Sequence, residues 1–218
     1  MLKSILLLSI MTVTVFANAQ KVIQKPILFD DERRALSLAY LEDRYGIKQT
    51  EPTIVPQMVV VHWTAIPTFE GTFRTFNTAT LPNSRNGIKR AGALNVSSQY
   101  SIDRDGTIYQ LMPDTVMARH VIGLNHCAIG IENVGGTKNT PMMEAQLEAN
   151  IALIRMLNNK YDLKYVIGHH EYKTFIGHEL WKEIDPNYLT VKSDPGDQFM
   201  NDIRNSIEDL GLKGPIKK

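Results

Sequence analysis

The chain has 218 residues, 24 Lys and Arg against 23 Asp and Glu, 43% hydrophobic residues and one cysteine. That length suffices for one domain with a substantial core, and the near-neutral balance without a long basic run gives no electrostatic case for a nucleic-acid partner. With Cys127 alone, an internal disulfide and a dithiol redox centre are excluded, so stability has to come from the core or from a metal.

In chain order, Lys3 precedes an apolar run from Ile5 to Phe16, and Ala17-Asn18-Ala19 supplies the small-x-small pattern that signal peptidase accepts. The run is about a dozen residues, short of the roughly 20 that span a bilayer. Residues 1–19 are therefore expected to be a removable secretory signal, leaving an exported, periplasmic or secreted protein with no integral membrane span. No cysteine follows the cleavage position, so a lipid anchor is not expected. Residues 20–57 are expected to hold a helix and a connector. Asp30 caps a helix over 31–45 with acidic residues in its first turn and Gly46 at its end, and Pro52 and Pro56 mark the connector.

A folded domain is expected over 58–212, followed by a short tail at 213–218. Met58-Val59-Val60-Val61 is a continuous, β-branched run of the kind found in strands buried on both faces. Segments 99–103 and 107–112 flank Asp103-Arg104-Asp105-Gly106, a hairpin signal. Cys127 to Ile131 and Tyr165 to Ile167 read as two more short strands. Between them a helix is expected with Thr140 as cap, Pro141 at its first position, and Leu147, Ile151, Ile154 and Leu157 as its apolar face. A last helix over 197–210 turns Phe199, Ile203 and Ile207 inward and stops at Gly211. Interleaved strands and helices predict a single-domain α/β fold, a mixed central β-sheet flanked by helices.

His62 directly follows the run Val59-Val60-Val61, His169 directly follows Val166-Ile167-Gly168, and Asp194 sits in a turn before the last helix. Side chains at strand ends and in adjoining loops face a shared crevice. Two imidazoles and a carboxylate suit Zn²⁺, and three protein ligands leave a position open for water. By spacing alone the case for a metal is weak, because the three lie far apart in the chain and a lone histidine after a strand is more often a hydrogen-bonded structural residue than a ligand.

Five segments then occur in one order: Val60-Val61-His62-Trp63-Thr64, the hairpin from Tyr100 to Gln110, Ile129-Gly130-Ile131-Glu132, Gly168-His169-His170-Glu171-Tyr172 and Lys192-Ser193-Asp194-Pro195-Gly196. Together, over roughly residues 58–200, they resemble the zinc-dependent type 2 N-acetylmuramoyl-L-alanine amidases, which include peptidoglycan recognition proteins. The resemblance implies a zinc hydrolase that cuts the amide between N-acetylmuramic acid and L-alanine in peptidoglycan or muropeptides. It implies His62, His169 and Asp194 as zinc ligands, Glu132 as catalytic acid or base, and Lys192 as a catalytic cation. His120 and Asn125, around Gly123-Leu124, fall where the family often places substrate contacts; here they are substrate contacts or loop-stabilising groups. Glu171 is expected to orient the His169 ring, and His170 to serve structure.

The chain departs from the family at Gln99, where many members have histidine, and no catalytic tyrosine matches there. The segment 175–188 lengthens the loop between His169 and Lys192. Trp63 and Trp181 line a groove or pack. Cys127 is a small apolar filler. A monomer is expected. Two other classes compete: a peptidoglycan-binding module without activity, which the complete ligand set argues against, and a zinc hydrolase acting on another exported amide.

Overall fold

The computed structural model describes residues 21–82 and 89–217; the expected signal at 1–19 lies outside them. Strands β1 (Val22–Gln24), β2 (Met58–Trp63), β3 (Tyr100–Ile102), β4 (Ile108–Gln110), β5 (Ala128–Asn133) and β6 (Tyr165–Gly168) form one sheet in the order β1-β4-β3-β5-β2-β6. The β3–β4 hairpin is antiparallel, and the other pairings are parallel. Helices α1 (Asp31–Tyr45), α2 (Phe69–Asn77), α3 (Glu144–Lys160) and α4 (Asp197–Ser206) flank it. The fold is a single α/β domain with a mixed six-stranded sheet, as the alternation of elements predicted. Among the described residues no helix is long and apolar enough to cross a membrane.

The central strands are buried on both faces, and β2 shows how. Val59 and Val61 join a cluster with Ile129, Ile131, Leu153 and Leu157, on the side of α3 and α4. Met58 and Val60 join Tyr40, Leu41 and Tyr45 of α1 on the other side. Successive strand side chains alternate between faces. The residue after Val61 therefore returns to the α1 side, and that residue is His62.

The N-terminal segment belongs to this core. Asp30 accepts from the Arg33 N–H, and Gly46 ends α1 in the left-handed region at φ 66°. Strand β1 pairs with β4. The buried Arg33 guanidinium donates to the carbonyls of Phe76 (2.7 Å) and Thr78 (2.6 Å), fastening α1 to the end of α2. Arg44 pairs with the buried Glu183 in the long loop before Lys192.

Helix α3 departs from expectation in two ways. It begins at Glu144, because the Thr140 N–H closes a turn on the Thr137 carbonyl and Gln146 Oε1 accepts from the Met143 N–H. Its inward face is rotated: Leu147 and Ile151 are only partly buried, while Gln146, Ala149, Asn150 and Leu153 lie inside with Ile154 and Leu157. Gln146 Nε2 donates to the carbonyls of Val134 and Ile102, and Asn150 Nδ2 to Asn133 Oδ1 at 2.7 Å. Hydrogen-bonded amides are tolerated in a core, and apolar periodicity does not see them. The last helix is also shorter than expected. A 3-10 turn at Glu208–Leu210 completes the path to Gly211, and Met200 is buried in the core while Phe199, as expected, packs against the same cluster, partly buried.

One buried carboxylate fastens the hairpin to α3. Asp114 accepts from Tyr100 Oη (2.5 Å), Gln110 Nε2 (2.9 Å), Lys160 Nζ (2.7 Å) and Tyr161 Oη (2.9 Å). Replacing it strands the buried Tyr100 hydroxyl and leaves a void. Asp114→Ala is expected to cost about 3 kcal/mol, read as a lower urea midpoint with an unchanged m-value.

Candidate active site

Adjacent parallel strands β5, β2 and β6 end together. His62 is in register with Glu132, and Val61 with Gly168, so His169 follows at the same edge. Carboxyl ends of parallel strands border the crevice where sites in such folds form. Asp194 arrives from the loop before α4, whose backbone His170 holds: its N–H donates to the Asp194 carbonyl at 2.9 Å, and its Nδ1 lies 3.0 Å from the same oxygen.

Three donor atoms converge. His62 Nδ1 lies 2.9 Å from His169 Nδ1 and 3.3 Å from Asp194 Oδ2, and His169 Nδ1 lies 2.9 Å from Asp194 Oδ2. All three residues are buried, and the group can hold a metal ion. Burial, then the neighbouring His169, pushes His62 down to about 4. Burial also lowers His169, against the pull of Asp194. Burial alone would raise Asp194, but hydrogen bonds from His169 and His62 outweigh it and hold the carboxyl well below the usual range. Near neutrality the triangle therefore presents two neutral imidazoles and a carboxylate, the protonation states that metal binding requires.

The triangle opens on a cavity of 290 Å³ whose walls include Trp63, Glu132 and Lys192. Glu132 and Lys192 are each half-buried. The five residues expected as ligands and catalysts thus border one space. Glu132 shares the His62 face of the sheet through the register of β5 with β2.

The other two expected site residues, His120 and Asn125, lie behind His62 on the α1 side. The His120 ring stands edge-on to His62, with centroids 5.1 Å apart, and covers Gly130 so closely that a Cβ there would come within 2.9 Å of it. His120 Nδ1 lies 3.0 Å from His62 Nε2, and His120 Nε2 lies 3.3 Å from the Ala128 carbonyl. Burial pushes the His120 imidazole well below its ordinary value. Asn125 is fully buried. Its Oδ1 accepts from the N–H groups of His120 (2.9 Å) and Val121 (2.8 Å), and its Nδ2 donates to Tyr45 Oη at 2.8 Å. Both border a smaller 100 Å³ cavity with Arg119, Tyr188 and Thr190, and His120 lines the main cavity as well.

Elsewhere the expectations are corrected or refined. Glu171 does not reach the His169 ring: its carboxylate accepts from the Gly168 N–H at 2.8 Å and pairs with Arg204 at 3.0 Å. Gln99 is buried in the sheet, accepting from the Gly130 N–H at 2.7 Å and donating to the Val116 carbonyl at 2.8 Å. Trp63 lines the cleft, whereas Trp181 stacks on Tyr172. The contacts from Tyr45 to Asn125 and from His120 to His62 were not foreseen. Gly130 carried a signal: a glycine two residues before Glu132, on the same face, leaves room for a ring.

A family model described as N-acetylmuramoyl-L-alanine amidase matches residues 38–197. The endolysin of Escherichia phage T7 is 30% identical over 105 residues, covering 43% of this chain and 70% of the endolysin. Two solved structures from Clostridium intestinale URNW share the fold. One is the N-acetylmuramoyl-L-alanine amidase LysC (TM-score 0.54, 22% identity, 88% of this chain and 99% of LysC). The other is the endolysin amidase LysCS (TM-score 0.53, 19% identity, 90% of this chain and 99% of LysCS). With the family model spanning most of the residues that build the sheet and the cleft, the chain belongs to the N-acetylmuramoyl-L-alanine amidase family.

Proposed function

We propose that this amidase is zinc-dependent, with His62, His169 and Asp194 as the ligands, Glu132 and Lys192 as the catalytic pair, and the amide joining N-acetylmuramic acid to L-alanine as the bond it cuts. The donor triangle carries the reading. Its sides of 2.9, 2.9 and 3.3 Å compare with the roughly 3.3–3.6 Å between ligands that tetrahedral zinc bonds of 2.0–2.2 Å require, so small shifts seat the ion. Nitrogen and carboxylate donors in neutral and ionised forms match zinc chemistry, and three ligands leave one position open.

When bound, zinc supplies Lewis acidity that eases deprotonation of a water and polarises a carbonyl. The Glu132 carboxylate takes a proton from the attacking water and returns it to the departing nitrogen of L-alanine. The Lys192 ammonium faces the carbonyl oxygen as negative charge develops on it. The muramic lactyl group leaves as an acid and the stem peptide as an amine, with the glycan chain intact. Every group named comes from one chain, which suits a monomer. A wall substrate suits an exported protein, periplasmic or secreted.

Mass spectrometry of digested muropeptides tests the reaction. Intact stem peptides beginning at L-alanine are expected, lost on chelation and restored by zinc; cleavage within the stem would identify a peptidase instead. Lys192→Ala is expected to lower kcat by about 10²–10³-fold, as losing one oxyanion donor does elsewhere. Zinc content should not change, and normal turnover would remove Lys192 from the mechanism.

A further inference from the structure

We infer that His120 is a positioning residue for the metal centre: its bare Nδ1 accepts the Nε2–H of His62 and so turns the lone pair of His62 Nδ1 toward His169 and Asp194. The inference rests on the zinc reading of that triangle.

The order of protons follows from one fixed group. The Ala128 carbonyl can only accept, so the His120 nitrogen 3.3 Å away, Nε2, carries the proton. A buried neutral imidazole has one proton, which leaves His120 Nδ1 as an acceptor. Only a donor suits the atom 3.0 Å from it, so His62 is protonated on Nε2 and bare on Nδ1. Ligating histidines are set in this way by an acceptor on the second nitrogen. Here the acceptor is another imidazole, anchored in turn to the backbone of β5.

The ring is held from three sides. Gly130 leaves the space it fills. Asn125 clamps the backbone at His120 and Val121, and Tyr45 of α1 holds Asn125. The N-terminal helix thereby supports the centre through Tyr45, Asn125 and His120. Both His120 nitrogens are engaged inside the protein, although the ring also borders the main cavity.

Two variants separate acceptor from bulk. His120→Phe fills the space without an acceptor, and His120→Asn offers an oxygen near the position of Nδ1. Zinc affinity, measured by competition with a chromogenic chelator, is expected to fall about 10–100-fold in His120→Phe, with a smaller loss in His120→Asn. Equal affinity in His120→Phe and the parent overturns the inference, as does an equal loss in both variants. Should neither fold, nitrogen-15 spectra of the zinc-loaded parent decide. A scalar coupling between His62 Nε2 and His120 Nδ1 is expected, with His120 protonated on Nε2; protonation on Nδ1 overturns the inference. A parent that binds no zinc overturns the functional reading and this inference together, whereas a variant result overturns the inference alone.

Discussion

Glu132→Gln is expected to keep its zinc and its fold while kcat falls about 10²–10⁴-fold, the range that a positioned acid–base group supplies. The substitution preserves size and removes only the ability to hold a proton. Glu132 stands one strand over from His62, in register with it, so its carboxylate borders the cavity without belonging to the donor triangle. Its neighbours along β5, Ile131 and Asn133, face α3, and Asn133 fixes the strand end by donating from Nδ2 to the His62 carbonyl at 3.0 Å. Backbone placement should therefore survive the change. Muropeptide turnover and zinc content measured on the same preparation separate the two roles. Turnover near the parent's would show that another group moves the proton, and lost zinc would make Glu132 a structural support of the centre.

The parts of this molecule that could be read from its sequence are those where neighbours in the chain carry the physics. β2 was legible because a strand buried on both faces is apolar without interruption. α1 was legible because Asp30 and Gly46 are local signals. His62 and His169 stood out as polar residues directly after such runs, but they are 107 positions apart, and no spacing rule brings them within 2.9 Å. Only the resemblance joined them with Asp194 beforehand. Polar residues buried by long-range pairing escaped. Gln146 and Asn150 turned the face of α3 because their partners lie on β3 and β5 and beyond. Asn125, set between substrate contact and loop support on sequence, spends its amide on a tyrosine 80 residues away. β1, three residues long with Ile23 and Gln24 both exposed, gave no pattern to detect, whereas α2 did carry one that went unread: a Thr68 cap and Phe69, Phe73 and Phe76 at helical spacing.

Asp194→Ala should have the largest effect of all: loss of bound zinc and, with it, of amidase activity beyond what Glu132→Gln removes. Asp194 supplies the single negative charge of the triangle, and without it two buried neutral imidazoles face the cation with no charge to offset the water it gives up. Binding to the folded state stabilises it by mass action, about 2.7 kcal/mol at a zinc concentration 100 times Kd. The parent should therefore melt higher with zinc than after chelation, while Asp194→Ala melts at one temperature in both conditions. That comparison does not depend on catalysis, so it tests the ligand directly. The carboxylate also lies against both rings, at 2.9 Å from His169 Nδ1 and 3.3 Å from His62 Nδ1. The metal-free variant should then melt below the metal-free parent, and Asp194→Asn, which retains a hydrogen-bonding oxygen, should recover part of that difference without recovering zinc. A zinc-dependent rise in melting temperature for Asp194→Ala equal to the parent's would take the aspartate out of the coordination sphere and leave two histidines too few to define the centre.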